Sequence, residues 1–316
     1  MIDVATFGET MAAVRAIDPL RLGGAMRLSV AGAESTVAIG LARLGHRARW
    51  IGLVGDDETG ALVLRTLRAE GVDVAHVRTD HRGPTGLMLL ERRVGDLTRV
   101  IYHRSGSAAS YLEPADVLPA LDPAPAILHV TGITPALGPG PAAAVRATVE
   151  RAARTPGTRV CLDVNYRSRL WDRDRAAEVL RGLVPSLSLV VASHDELDLV
   201  APASATTESD RVAALLDAGV AEVVVKRGAD GASGHTPEET AHVPARRVEV
   251  TDLVGAGDAF VAGHLSGTLD GLGLAGRLGR AVTCGAFAVA SSGDWEGLPT
   301  RHELALLDAL PGSTLR

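Results

Sequence analysis

Thr251-Asp252-Leu253-Val254-Gly255-Ala256-Gly257-Asp258-Ala259-Phe260 is the stretch from which the rest of the chain can be read. It follows Arg247-Val248-Glu249-Val250, an alternating run with the period of a strand, and it precedes an apolar run from Ala259 that reads as a helix. Gly-Ala-Gly at a strand-to-helix junction lets backbone N–H groups close on an anion, and the helix N-terminus behind it adds partial positive charge. Asp258 puts a carboxylate beside that nest, where it would repel a phosphate, so a chemical task is expected of it. The plain alternative is a glycine-rich turn with an Asp near a helix cap. Two phosphate-loop fingerprints fail here. G-x-G-x-x-G needs a third glycine where Phe260 stands, and Walker A needs Gly-Lys-Ser/Thr, which the chain lacks.

Working outward, the 316 residues are 46% hydrophobic and 22% charged, which is enough for a large globular core. A net charge of -6 offers no basic footprint for nucleic acid or an anionic membrane. No apolar run is long enough to span a bilayer, and the N-terminal residues do not form a basic, apolar leader. Cys161 and Cys284 are too few for a disulfide framework, so a reducing cytoplasm is the expected compartment. The ten histidines show no H-x-x-x-H spacing, and no G-x-S-x-G elbow marks a hydrolase. Of the 32 basic residues, Lys226 is the only lysine, which suggests a site suited to a compact ammonium rather than a fork.

The remaining chain alternates strand-like and helix-like runs. Strands are expected at 2–7, 48–54, 72–77, 127–131, 159–164, 187–192 and 221–226. Helices are expected at 34–44, 58–70, 141–154, 175–183, 209–218, 259–270, 274–290 and 301–310. Such alternation implies a mostly parallel sheet covered on both faces, with ligands at the carboxyl ends of the strands. Thr85–Glu91 and Thr98–Arg104 break the pattern. They read as an antiparallel hairpin turning at Gly95-Asp96 and, with the alternating Met26–Val30, as a small sheet standing off the main body.

Asp252-Leu253-Val254-Gly255-Ala256-Gly257-Asp258 resembles the D-T-x-G-A-G-D signature of the PfkB (ribokinase-like) carbohydrate kinases, with Leu253 in place of Thr. Gly32-Ala33-Glu34-Ser35-Thr36-Val37-Ala38 and Leu41-Ala42-Arg43-Leu44-Gly45 resemble that family's first signature, with Ala31 for a usual Gly and Thr36 for a usual Asn. The resemblance covers essentially the whole chain. It implies an α/β fold: a single ribokinase-like three-layer α/β/α domain over 1–316, with a small antiparallel β-lid from about 9–31 and 83–105. Several further pieces are similar to the 2-keto-3-deoxygluconate kinases within the family. These are Arg99–Arg104 with Ser105–Ala109, Asp163–Arg167 with Leu170-Trp171, and Gly293–Gly297; Met88 stands where those kinases often carry a tyrosine.

The resemblance also implies roles. Asp258 is the expected base, with Gly255, Ala256 and Gly257 supplying N–H groups for the transferred phosphoryl. Gly32, Tyr102, Arg104, Arg167, Asp258 and Asp294 are expected to contact sugar. Two arginines in one cleft suit the carboxylate of a sugar acid. Asn165, Ser193, Lys226, Gly228, Gly231, Gly255 and Gly257 are expected to face ATP, and Glu196 to hold Mg²⁺ through water. The implied reaction is ATP-dependent phosphorylation of 2-keto-3-deoxygluconate, with a fructose-like ketose, 2-keto-3-deoxygalactonate or a catalytically silent sugar-binding relative as alternatives. The partners are then a small sugar, ATP and a second copy meeting through the lid, with no nucleic acid or membrane.

Overall fold

The computed structural model describes residues 2–94 and 97–308. The turn expected at Gly95-Asp96 and the last residues of the helix expected to reach Leu310 lie outside them. The chain begins with β1 (Val4–Phe7), β2 (Met11–Ala16), β3 (Met26–Ala31), α1 (Ala33–Arg43), β4 (Ala48–Ile51), β5 (Leu53–Gly55) and α2 (Glu58–Ala69). Next come β6 (Arg78–Asp80), β7 (Leu87–Val94), β8 (Leu97–His103), α3 (Pro114–Val117), β9 (Ile127–Thr131), α4 (Pro139–Ala153), β10 (Arg159–Asp163) and α5 (Arg173–Arg181). It closes with β11 (Leu189–Ser193), α6 (Glu208–Asp217), β12 (Glu222–Lys226), β13 (Ala232–His235), β14 (Thr240–Val243), α7 (Ala256–Leu269) and α8 (Leu274–Val289).

An eight-stranded sheet in the order β14-β13-β12-β11-β10-β9-β1-β4 forms the centre. It is parallel from β12 to β4, and β13 joins β12 antiparallel. Its strands are apolar on both faces because both are covered. Phe7, Leu128, Leu162 and Val190 pack on one side with Val145, Leu180 and Leu215 of α4, α5 and α6. Val4, Ile127, Val191 and Val224 pack on the other with Val37, Leu67, Val261 and Leu278 of α1, α2, α7 and α8. A second sheet, ordered β3-β2-β7-β8, draws its strands from both lid segments. Its outer pairs are antiparallel, while the central β2–β7 pair runs parallel.

Helix α7 is buried almost all round, and small residues make that possible. A Cβ added to Gly263 would stand 2.9 Å from Ala281 Cα of α8, and one added to Gly40 of α1 would stand 2.7 Å from Ala262. Side chains at these positions would overpack the contact, at a cost of about 1–3 kcal/mol. The close approach clamps α7 and so fixes its first turn, which carries Asp258.

Several sequence expectations fail locally. Residues 244–250 form no strand; the sheet is completed instead by β13 and β14, whose short Ala/Ser/Gly/His and Thr/Ala/His/Val runs carry little alternating signal. Helix α7 starts at Ala256 rather than Ala259, because Gly255 turns the chain through a left-handed φ of 78°. Residues 72–77 make one bridge, Asp73 to Arg49, and the strand there is β6. The polar stretch after Phe7 contains β2, and residues 301–308 form a 3₁₀ rather than an α-helix.

Candidate active site

The carboxyl ends of β1, β9, β10, β11 and β12, the first turns of α1 and α7, and the inner face of the lid enclose a cleft of about 700 Å³. At its centre is Asp258, in the first turn of α7, where the dipole favours an anion. Gly255 before it needs both its positive φ and its missing side chain, since a Cβ there would run into the Asp294 backbone. Asn165, just past β10, adopts the left-handed region at φ 42°, unusual for a residue other than glycine. That turn aims its side-chain amide inward, where Nδ2 donates to Asp258 Oδ1 at 3.0 Å and to Asp163 Oδ2 at 3.1 Å. The NH₂ group has two hydrogens, so both bonds can be made together. Asp163 is fully buried, and its other oxygen accepts from Lys226 Nζ at 2.7 Å. The lone lysine and the candidate base are thus ends of one connected line, Lys226–Asp163–Asn165–Asp258.

Burial, reinforced by the Asp163 charge and opposed by Arg167 and Lys226, raises the Asp258 carboxyl to about 7. Burial disfavours the Lys226 ammonium, but Asp163, Glu196 and Asp258 outweigh it and raise its pKa. A carboxylate whose pKa lies near neutrality suits a general base.

On the lid side, Tyr102 and Met88 are cross-strand partners, and the Arg104 guanidinium lies 5.6 Å from the Tyr102 ring centroid. Arg104 is not a free cation. It is ion-paired with buried Glu9, whose Oε1 also accepts from Ser107 Oγ at 2.5 Å. Arg167 is exposed and donates to the Tyr166 carbonyl at 3.1 Å. Asp294 lies against the opening stretch, and Arg15 of β2 reaches over to bind Asp252 at 2.7 Å and approach Asp294 at 3.8 Å. Burial and the nearby Asp258 charge lift Asp294 to about 8, against the pull of Arg15. Asp163, Glu9, Glu34 and Arg15 are cleft or supporting residues to which the sequence assigned no role; Glu34 and Asp163 lie inside the quoted signature stretches, while no spacing or motif marks Glu9 and Arg15.

On the other side, Glu196 is buried, and its two oxygens each accept one backbone N–H, from Tyr166 at 2.7 Å and Ser193 at 2.8 Å. That fastens the loop after β10 to the loop after β11. Each oxygen keeps a lone pair, compatible with contact to a hydrated ion rather than direct ligation. Among the described residues, no three His, Cys, Asp or Glu side chains gather as a metal cluster. Gly228 takes a left-handed φ of 55° at the cleft rim, beside Lys226. Gly32, Tyr102, Arg104, Asn165, Arg167, Ser193, Glu196, Lys226, Gly228, Gly255, Gly257, Asp258 and Asp294 all line the cleft. Gly231 and Ala256 do not; Gly231 is packed behind the loop against Val243–Ala245.

The cleft thus brings together a carboxylate at a helix N-terminus, a lysine on its flank and a lid bearing arginine and tyrosine, charges compatible with an anionic ligand. The sequence profile described as pfkB family carbohydrate kinase matches residues 1–301. The chain belongs to the pfkB family of carbohydrate kinases. This pfkB kinase is 38% identical to a 2-dehydro-3-deoxygluconokinase of Bacillus subtilis (strain 168), over 96% of this chain and 94% of that protein. It is 33% identical to a 2-dehydro-3-deoxygluconokinase of Thermoproteus tenax, over 98% and 95%. Among solved structures, a PfkB protein from Polaromonas sp. JS666 is 35% identical with a TM-score of 0.86, covering 96% of this chain and 99% of that one. A putative ribokinase II from E. coli, solved with ATP and Mg²⁺, is 26% identical with a TM-score of 0.90, over 98% and 99%. The ribokinase-like fold is therefore shared along nearly the whole pfkB kinase chain. No helix among the described residues is long and apolar enough to cross a membrane.

Proposed function

We propose that this carbohydrate kinase transfers a phosphoryl group from ATP, with Mg²⁺, to the 6-hydroxyl of a sugar acid, with 2-keto-3-deoxygluconate the first candidate. The observation that carries the reading is a poised base and a free guanidinium facing one cleft. Asp258 is held by Asn165, and among the described residues no carboxylate pairs with Arg167. The similarity to two 2-dehydro-3-deoxygluconokinases supports the choice of sugar.

In this reading Asp258 orients the acceptor hydroxyl and takes its proton as the new P–O bond forms. The cleft-lining N–H groups at Gly255 and Gly257 and the α7 dipole stabilise negative charge on the group in transit, while the Ala256 N–H turns away to the Leu253 carbonyl. Lys226, fixed by Asp163, presents its ammonium beside Gly257, and Gly228 lets the rim loop curve around a nucleotide. Bound ATP supplies the phosphoryl group, and Mg²⁺ neutralises phosphate charge. Glu196 would meet the ion through water. Arg167 and Tyr102 would hold the acidic end of the sugar, with Arg104 contributing directed N–H donors rather than net charge.

Neutralisation of Arg104 by Glu9 favours a second reading, a neutral fructose-like ketose. An ATPase-coupled assay across sugar acids and neutral ketoses separates the two. Fastest turnover of 2-keto-3-deoxygluconate is expected, and activity confined to neutral sugars overturns the first reading. The lid carries exposed Ile17, Leu22, Met26 and Leu28, which supports pairing of two copies there. The free, buried Cys161 and Cys284 fit the cytoplasmic placement we assign.

A further inference from the structure

Glu34 stands in the first turn of α1, is 1% exposed, and lines the cleft. Its Oε1 lies 2.6 Å from Thr131 Oγ1 and 2.7 Å from Thr134 Oγ1, while Oε2 accepts no such bond among the described residues. The Thr134 hydroxyl also lies 3.3 Å from the Phe7 carbonyl, so its single proton is shared between two acceptors. The site is built around this carboxyl: any side chain at Gly8 would collide with it. Buried acids are ordinarily paired with a cation. Here the cation that acts on Glu34 from a distance is Arg104, already engaged by Glu9. Burial raises the Glu34 carboxyl above its ordinary range, which favours a neutral group and lessens repulsion of an acidic ligand.

Position tells what the group faces. Thr131 ends β9 and Gly8 follows β1, whereas Asn165, which holds Asp258, follows β10. Neighbouring strands are about 4.8 Å apart, so Glu34 lies roughly 5–10 Å along the sheet from the catalytic corner. That matches the reach of a sugar from its reacting hydroxyl to one further along the chain.

We propose that Glu34 is a substrate-contacting, specificity-determining residue whose Oε2 hydrogen-bonds a sugar hydroxyl other than the one Asp258 activates. This rests on the kinase reading above but not on which sugar is phosphorylated. Failure of the sugar-acid reading shows in the wild type alone, as activity confined to neutral sugars. The Glu34 comparison is made on whichever sugar the wild type turns over.

The test compares wild type, Glu34→Gln, Glu34→Met and Glu34→Ala, each checked for folding by thermal melt, on that sugar and its monodeoxy analogues. A hydroxyl can accept from an amide, so Glu34→Gln should keep the sugar KM within about threefold. Glu34→Met and Glu34→Ala should raise it at least about tenfold, leaving the ATP KM unchanged. One deoxy analogue should lose about tenfold in kcat/KM with wild type and nothing further with the Met or Ala variant. Running both apolar variants keeps the cycle intact if one does not fold. An unchanged sugar KM in the apolar variants, an equal rise in the ATP KM, or deoxy penalties identical in wild type and variants would each overturn the assignment.

Discussion

The side-chain amide of Asn165 stands 3.0 Å from Asp258 Oδ1, joining two residues 93 positions apart. The same nitrogen reaches Asp163, so the candidate base is oriented by a group that is itself tethered. Asp258 is thereby fixed from β10 as well as from its own helix.

Replacing that base is the most direct check on its role. Asp258→Asn should lower kcat by about 10²–10⁴-fold while sugar and ATP dissociation constants stay within a few-fold. Initial-rate kinetics and calorimetric titration read the two effects separately. A variant keeping more than about a tenth of the wild-type rate shows that Asp258 is not the base.

Asn165 offers a subtler readout. Asn165→Gly removes the amide without asking a new side chain to adopt φ 42°. A donor to a carboxylate favours its ionised form, so losing it should move the acid limb of kcat/KM, expected near pH 7, to higher pH. A pH–rate profile of the variant that superimposes on the wild type argues that the amide does not act on Asp258.

Acidity and stability are linked at Asp294. Burial raises it to about 8, well above its unfolded value, so its protonated form is the one the fold favours. Stability is fully retained below the unfolded pKa of about 3.9 and is lost as pH rises through the folded value. Asp294→Asn should therefore raise Tm at pH 8.5 by several degrees, at about 2–4 °C per kcal/mol, with little gain at pH 4. Calorimetric scans at the two pH values decide it; a gain of equal size at both points to a cause other than ionisation.

Lys226 and Asp163 form a pair whose members cannot be removed singly without consequence. Lys226→Met leaves the fully buried Asp163 carboxylate uncompensated and should cost about 3–5 kcal/mol. Lys226→Arg keeps the charge but not the compact shape, and should raise the ATP KM at least about tenfold with little change in the sugar KM. Urea unfolding and two-substrate kinetics measure these. An unaltered ATP KM in the Arg variant removes Lys226 from the nucleotide side.

How far the sequence carried this picture depended on the kind of signal. The central strands were legible because burial on both faces leaves near-continuous Val, Ile and Leu, as in Leu189–Ser193 and Glu222–Lys226. Gly255-Ala256-Gly257-Asp258 was legible because a carboxylate beside a glycine-lined anion nest would repel a phosphate unless it had a chemical task. Arg247–Val250 misled because alternation encodes two unlike faces, and here no neighbouring strand pairs with it; Val250 is exposed. β13 has no branched apolar residue and β14 only Val243; they exist through the pairing of β13 with β12 and of β14 with β13. The pairing of Arg104 with Glu9, the tether through Asp163 and the pocketing of Glu34 arise from contacts between distant segments, which no local pattern records.

The solitary lysine has one more consequence, for chemistry done to the protein from outside. With no other lysine in the chain, an amine-acylating reagent finds one side-chain target, and it stands in the cleft beside the α7 N-terminus. Its Nζ is shielded by Asp163 and its side chain is mostly buried, so labelling there proceeds slowly and reports on whatever occupies the site. The molecule therefore carries one built-in side-chain reporter of occupancy, read by peptide mapping apart from the α-amino group, needing no engineered tag.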